Sequence, residues 1–402
     1  MATRPALRAS FCTLALLLGA AACGKAPLEP AAGGGALTRY QATDLGTLGG
    51  SWTVPEALSD DGRVVGSSQT ATSMKRGFVY ESGVMHELAE SRPFARNEAQ
   101  AINPAGQIAG IDAEGHSVLI WDAATGAPRR LDTGASAPDP TRVIGLSERG
   151  DVLVRLDDNH YDMRGIIWRD GVGQDLGGLD PLRIRTIATA WNPRGQVVGS
   201  SFVRHANPTS EIFHPFVWEG GVMRDLGVLG SYSCGDDPQV DCAGGEAADI
   251  NAQGVIVGTS TNAAGMNRAF VWENGIMREL TAFPDRQTRA LAINDRGQIL
   301  GTYAGQEYGL FVWDNGVVQR VGSLGGASTW AYGFGENGEV VGESTTEVGE
   351  PHAFVWQNRE MIDLGPGSAR AVNARGDIVG TSGSRGILWR KTASPSIALP
   401  LY

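Results

Sequence analysis

The chain has 402 residues, 42% of them hydrophobic, with 56 glycines and a formal net charge of −11. That apolar content excludes a disordered polymer, and the acidic balance excludes a nucleic-acid binder or a protein lying flat on anionic lipid. Length alone suggests two or three domains, but an internal repeat overrides that prior.

Residues 1–22 read as a targeting segment. Arg4 and Arg8 precede an apolar run, Phe11 to Ala22, too short to span a bilayer. Ala20-Ala21-Ala22-Cys23 resembles the lipobox of bacterial lipoproteins. That resemblance makes Cys23 a lipid-bearing N-terminus after cleavage and gives an exported protein anchored to a membrane, at the outer membrane or cell surface. An ordinary secretory signal cut near this junction is the alternative. Residues 23–38, rich in Gly, Ala and Pro, are expected to form a flexible tether. Residues 39–402 are expected to form one folded unit.

The repeat is clearest from Ala247 to Leu280. Asn251-x-x-Gly254 has the chemistry of a type I turn closed by a left-handed Gly, and Asn274-Gly275 is the two-residue hairpin signal. Each repeat therefore predicts a four-stranded antiparallel meander. The first-turn glycine recurs at Gly62, Gly106, Gly150, Gly195, Gly254, Gly297, Gly338 and Gly376, at steps of about 40–45 residues with one longer step. Four residues later stands a second glycine, as at Gly66, Gly258 and Gly342, which inside a strand implies close approach by another backbone or a ring. The third strand ends in Tyr80, Trp121, Trp168, Trp218, Trp272, Trp313, Trp356 or Trp389. An aromatic demanded in every copy packs against the neighbouring copy.

Runs such as Val255-Ile256-Val257 and Phe270-Val271-Trp272 are apolar on both faces, so the sheets are covered on both sides. Sheets of this kind, repeated at this period, predict an all-β closed β-propeller, eight-bladed, with seven blades as the runner-up. Asp44-Leu45-Gly46-Thr47-Leu48-Gly49 copies Asp225-Leu226-Gly227-Val228-Leu229-Gly230, which follows a fourth strand. Arg39 to Leu45 is thus expected to complete the last blade, which removes two exposed edges. Ser396 to Leu399 is the alternative fourth strand, limited to an edge by Pro395 and Pro400.

Pro351-His352-Ala353-Phe354-Val355-Trp356, Asp44-Leu45-Gly46-Thr47-Leu48-Gly49-Gly50 and Ile293-Asn294-Asp295-Arg296-Gly297-Gln298 resemble the bacterial HAF extracellular repeat family over about residues 40–390. The resemblance implies an exported repeat protein. It brings no catalytic residue, because the shared positions are turns and packing aromatics.

The remaining chemistry is sparse. Cys234 and Cys242 close a short loop and are expected to pair in an oxidising compartment; no His or further Cys accompanies them as a zinc site would need. The six histidines, at 86, 116, 160, 205, 214 and 352, lack metal-ligand spacing. No cofactor, metal site or catalytic constellation is recognisable, and a monomer is expected. Parity puts the short turns at one end of the ring and the long connections at the other. Trp52 and Trp330, outside the packing position, are expected in these long loops, at 46–56 and 322–330, on a face suited to carbohydrate or protein. The leading reading is a non-enzymatic binding module. A propeller enzyme acting on extracellular glycans and a purely structural surface protein are the alternatives.

Overall fold

The structure is a computed structural model; it describes residues 40–90, 96–112, 117–122, 128–132, 141–157, 163–204, 211–232 and 243–392. Cys23, Cys234, Cys242, the tether and residues 396–399 lie outside the described residues. Eight four-stranded antiparallel sheets follow one another along the chain. The first strands of the eight blades are Gly49–Leu58, Asn97–Ile102, Thr141–Leu146, Thr186–Trp191, Gly245–Ile250, Gln287–Ile293, Gly325–Phe334 and Ser368–Val372. Seven blades take four consecutive strands. The eighth takes Ser368–Val372, Ile378–Ser382, Arg385–Lys391 and then Tyr40–Asp44, which pairs antiparallel with the third strand from Tyr40↔Lys391 to Asp44↔Ile387. The molecule is an eight-bladed β-propeller closed by its N-terminal strand. Among the described residues there is no helix, and so none long and apolar enough to cross a membrane.

The core is divided among the seams between blades. Eight apolar clusters occupy the eight seams, of which the one between blades 6 and 7 joins Leu300 and Val312 to Ala331, Val340, Phe354 and Trp356. The third-strand aromatic belongs to the seam with the preceding blade: Trp121 donates its indole N–H to the Ala89 carbonyl at 2.9 Å, and Trp218 is 1% exposed. A ring of that size buries on the order of 150–250 Å², so each seam is strongly apolar.

The second-strand glycine has a backbone cause. In seven blades a β-bulge in the first strand drives the carbonyl oxygen of the residue before the bulge into the space a Cβ would occupy. The carbonyls are those of Val54, Glu98, Ile187, Glu246, Arg289, Trp330 and Ser368, facing Gly66, Gly110, Gly199, Gly258, Gly301, Gly342 and Gly380. At Gly258 and Gly301 a ring, Phe270 or Phe311, also closes in. Hairpin chemistry is as direct: Asn274 and Gly275 sit at φ 52° and 85°, the double left-handed pair a type I′ turn requires.

The turn asparagines do more than shape their turns. Asn251 Oδ1 accepts the Gln253 and Val255 N–H groups, while its Nδ2 crosses the seam to the Asn294 carbonyl at 3.4 Å. The same crossing runs from Asn103 to Ser147, Asn192 to Asn251, Asn294 to Gly335 and Asn373 to Ser59. The last of these joins blade 8 to blade 1. Among the described residues, buried amides thus clamp five of the eight seams at the short-turn end.

Candidate functional site at the axial mouth

The repeat motifs are accounted for by structure. The His of the His-Ala-Phe triplet holds a third-strand position that faces an acid on the fourth strand. His352 Nδ1 lies 2.9 Å from the Asp363 carboxylate, and His214 Nδ1 2.9 Å from Asp225 Oδ2. Elsewhere arginine takes the site: Arg76 with Glu87 at 3.2 Å, Arg268 with Glu279 at 2.7 Å, Arg164 with Asp175, and Arg385 with Asp44. Burial raises the Asp225 carboxyl, but hydrogen bonds from His214 and the Gly227 N–H outweigh it and leave the group below its ordinary value. The middle residue of the triplet is small because the next first strand packs on it, as Asn97 and Ala99 pack on Gly77. The Phe is fully buried.

The Asp-Leu-Gly run following the fourth strand is a second structural cassette. Asp44 accepts the Gly46 N–H at 2.9 Å, and Asp175, Asp225 and Asp363 do the same for Gly177, Gly227 and Gly365 at 2.7 Å. Thr53, Thr186 and Thr329 then bridge the glycine carbonyl to Ser68, Ser201 and Ser344.

What the repeats do not share gathers around the axis. First strands are innermost, and they enter from the end that bears the long connections. The residue just before the small bulge residue is Val54, Glu98, Arg142, Ile187, Glu246, Arg289, Trp330 or Ser368 in blades 1 to 8. Its neighbour in the core is alanine in six blades, so one position is uniform while the next varies in size and charge. Side chains here meet around the mouth: Arg289 Nη1 lies 3.7 Å from Glu246 Oε1 of the blade before. Just beyond, at the extra residue of the bulge, Arg370 Nη1 lies 3.6 Å from Glu56 Oε1 of the blade after.

Trp330 and Trp52 are not in loops, as the sequence suggested. Both lie on ten-residue first strands, which reach further toward the long-connection end than those of the other blades. The antiparallel pairings that begin at Gly49↔Thr70 and Gly325↔Thr346 turn the expected loop into strand. Trp52 is half-buried. Trp330 is 40% exposed and contacts Tyr308 of blade 6, itself 47% exposed, with centroids 5.5 Å apart and planes at 41°.

Tyr308 is held in place from behind. Glu307 Oε2 lies 3.5 Å from Arg286 Nη1 and 3.6 Å from Arg320 Nη1. Both guanidinium groups stand over the Tyr303 ring, and Arg320 also over Phe283. Glu343 is opposite Trp330 in register, so the two side chains share a face. Burial pushes the Glu343 carboxyl up against the opposing pull of Arg370, and burial with the Glu343 charge raises the Tyr332 hydroxyl. On the other side of Arg289 a groove of about 390 Å³ runs between blades 4 and 5, lined by Ile187, Ile212, Phe213, Glu246, Thr259 and Asn267 among others. Arg289 borders both the groove and the aromatic pair. Of this constellation the sequence singled out only Trp330. Tyr308, Tyr332, Glu343, Arg289 and Arg370 carry no motif, and the signal that finds them is disagreement between repeats at a fixed register.

No family model matches the chain, and no curated protein matches it. Among solved structures it is similar to the β-propeller domain of the Trilobed protease from Pyrococcus furiosus, described as having an open velcro topology, with a TM-score of 0.51 and 16% identity over 78% of this chain and 97% of that one. YCF48 bound to D1 peptide gives 0.48 at 10% identity over 89% and 98%, and Pyrococcus horikoshii acylaminoacyl peptidase 0.47 at 15% over 80% and 53%. At these identities the likeness is one of fold: this chain is a β-propeller, closed here by the pairing of Tyr40–Asp44 with the last blade.

Proposed function

We propose that the protein is an exported, lipid-anchored binding module of the cell envelope that takes a carbohydrate chain across its axial mouth. The observation that carries this is the exposed Tyr308–Trp330 pair, set in position by the Glu307 bridge. A sugar offers apolar ring faces and hydroxyl edges. The mouth offers exposed aromatic faces on one side of Arg289 and, on the other, a groove lined by Glu246, Thr259 and Asn267, which together match both features. The Ala20-Ala21-Ala22-Cys23 run supports the anchor. Binding of purified full-length protein to a glycan array, with Trp330→Ala as control, tests the ligand class; binding that is absent, or indifferent to Trp330→Ala, refutes it. Cys23→Ser is expected to move the protein from the membrane to the soluble fraction, and unchanged fractionation refutes the anchor.

A second reading, an enzyme cleaving extracellular glycans, is supported by Glu343 alone. A carboxyl raised by burial beside exposed aromatics has the character of a proton donor. Shortened products from a bound oligosaccharide, lost in Glu343→Gln, would favour that reading over simple binding.

A further inference from the structure

The order of charges around the mouth says more about the ligand. Blades 5, 6 and 7 place Glu246, Arg289 and Trp330 before the bulge; blades 8 and 1 have Ser368 and Val54 there and place Arg370 and Glu56 two residues further along, at the extra residue of the bulge. Arg289 stands on the blade before Trp330 and Arg370 on the blade after, and each arginine faces a glutamate on the blade beyond. The gaps are 3.7 Å for Arg289 to Glu246 and 3.6 Å for Arg370 to Glu56, and neither pair forms a hydrogen bond. The arginine side chains are 50% and 42% exposed. The acids hold the two forks around the aromatic without saturating them, so a ligand can engage donors that are already aimed. Glu343 stands opposite Trp330 in register, and burial raises its carboxyl against the pull of Arg370.

We propose, resting on the carbohydrate reading above, that the mouth selects acidic polysaccharide: a uronate ring lies against Trp330 and Tyr308 while its carboxylate is taken by Arg289 or Arg370. Planar guanidinium groups suit carboxylates, and aromatic faces suit the sugar ring. The surrounding chain is acidic at −11, so the preference comes from these local donors and not from a long-range field.

The test uses full-length protein and three probes in calorimetry: an oligogalacturonate, its methyl ester, and a neutral glucan oligosaccharide of the same length. The oligogalacturonate is expected to bind about tenfold more tightly than its ester, the worth of one charge-assisted contact. Arg289→Gln and Arg370→Gln are each expected to weaken it about five- to tenfold and to change the ester less than twofold, with unchanged circular dichroism. Trp330→Ala should weaken both ligands. Equal affinity for acid and ester, or arginine variants without effect, overturns the proposal while leaving carbohydrate binding standing. Failure to bind any of the three, together with a blank glycan array, overturns both.

Discussion

The seam clamp at Asn373 can be dissected with a substitution the molecule already uses. Asn373 joins the last blade to the first: Nδ2 donates to the Ser59 carbonyl at 3.0 Å, while Oδ1 accepts the Arg375 and Asp377 N–H groups at 3.1 and 2.9 Å. The residue is 5% exposed, so groups left unpaired there find little water. At the equivalent turn of blades 1 and 3 stand Ser59 and Ser147, whose hydroxyls accept the Arg63 and Asp151 N–H groups at 3.0 and 2.9 Å without crossing a seam. Asn373→Ser therefore keeps a turn acceptor and removes the crossing. The Ser59 carbonyl keeps the Gly62 N–H at 3.0 Å, so the loss is one net hydrogen bond, about 1 kcal/mol. Asn373→Ala loses the turn acceptor as well and should cost about 2–4 kcal/mol. Urea unfolding of the full-length protein, followed by tryptophan fluorescence, reads the order wild type, Ser, Ala. A Ser variant with the wild-type midpoint would show that the seam crossing contributes nothing, and equal midpoints for Ser and Ala would show that the turn acceptor does not matter.

Other outcomes follow from single contacts. Gly342→Ala places a methyl against the Trp330 carbonyl and is expected to cost about 2 kcal/mol or more. Gly178→Ala is the control, because the atoms nearest its added methyl stand at 3.4–3.5 Å; equal melting temperatures for the two variants would refute the close-approach reading. Asp225 titrates below its ordinary 3.8, so its contribution is present above that pH and is lost as pH falls through the lowered value. The side chain is 42% exposed and the effect therefore small; Asp225→Asn should flatten urea midpoints between about pH 2 and pH 5, and an unchanged slope would refute the pairing with His214. Glu307→Gln should weaken ligand binding several-fold by releasing Tyr308 with little change in stability, and binding equal to wild type would show that Tyr308 needs no support.

The fold was legible because each motif answers a local steric demand. Asn274-Gly275 can be little other than a hairpin turn, and a glycine fixed inside a strand pointed to a backbone contact that the Trp330 and Glu246 carbonyls supply. The seam crossings were not legible. Asn251 looks complete as a turn residue, and nothing in one repeat shows that its amide reaches the next. The His352 site failed for a related reason. Read by residue type, His352 and Arg268 look unrelated; read by register, each is the third-strand partner of a fourth-strand acid.

The axial mouth was hard to read for the opposite reason. A repeat array announces what every blade needs, and packing needs are the same in every blade. A ligand breaks the ring's symmetry, so the residues that meet it must differ from blade to blade. Around this axis they do: alanine fills the core position in blade after blade, while the adjacent position runs through Glu, Arg, Ile, Trp and Ser. That variation by itself would fit surface drift. Drift does not account for an aromatic pair backed by a carboxylate between two stacked arginines, nor for arginines on the blades either side of Trp330 that each face a glutamate on the blade beyond. The Tyr308–Trp330 contact and the Arg289–Glu246 and Arg370–Glu56 pairs each cross a blade boundary, and Trp330 stands on one of the two lengthened first strands, those of blades 1 and 7.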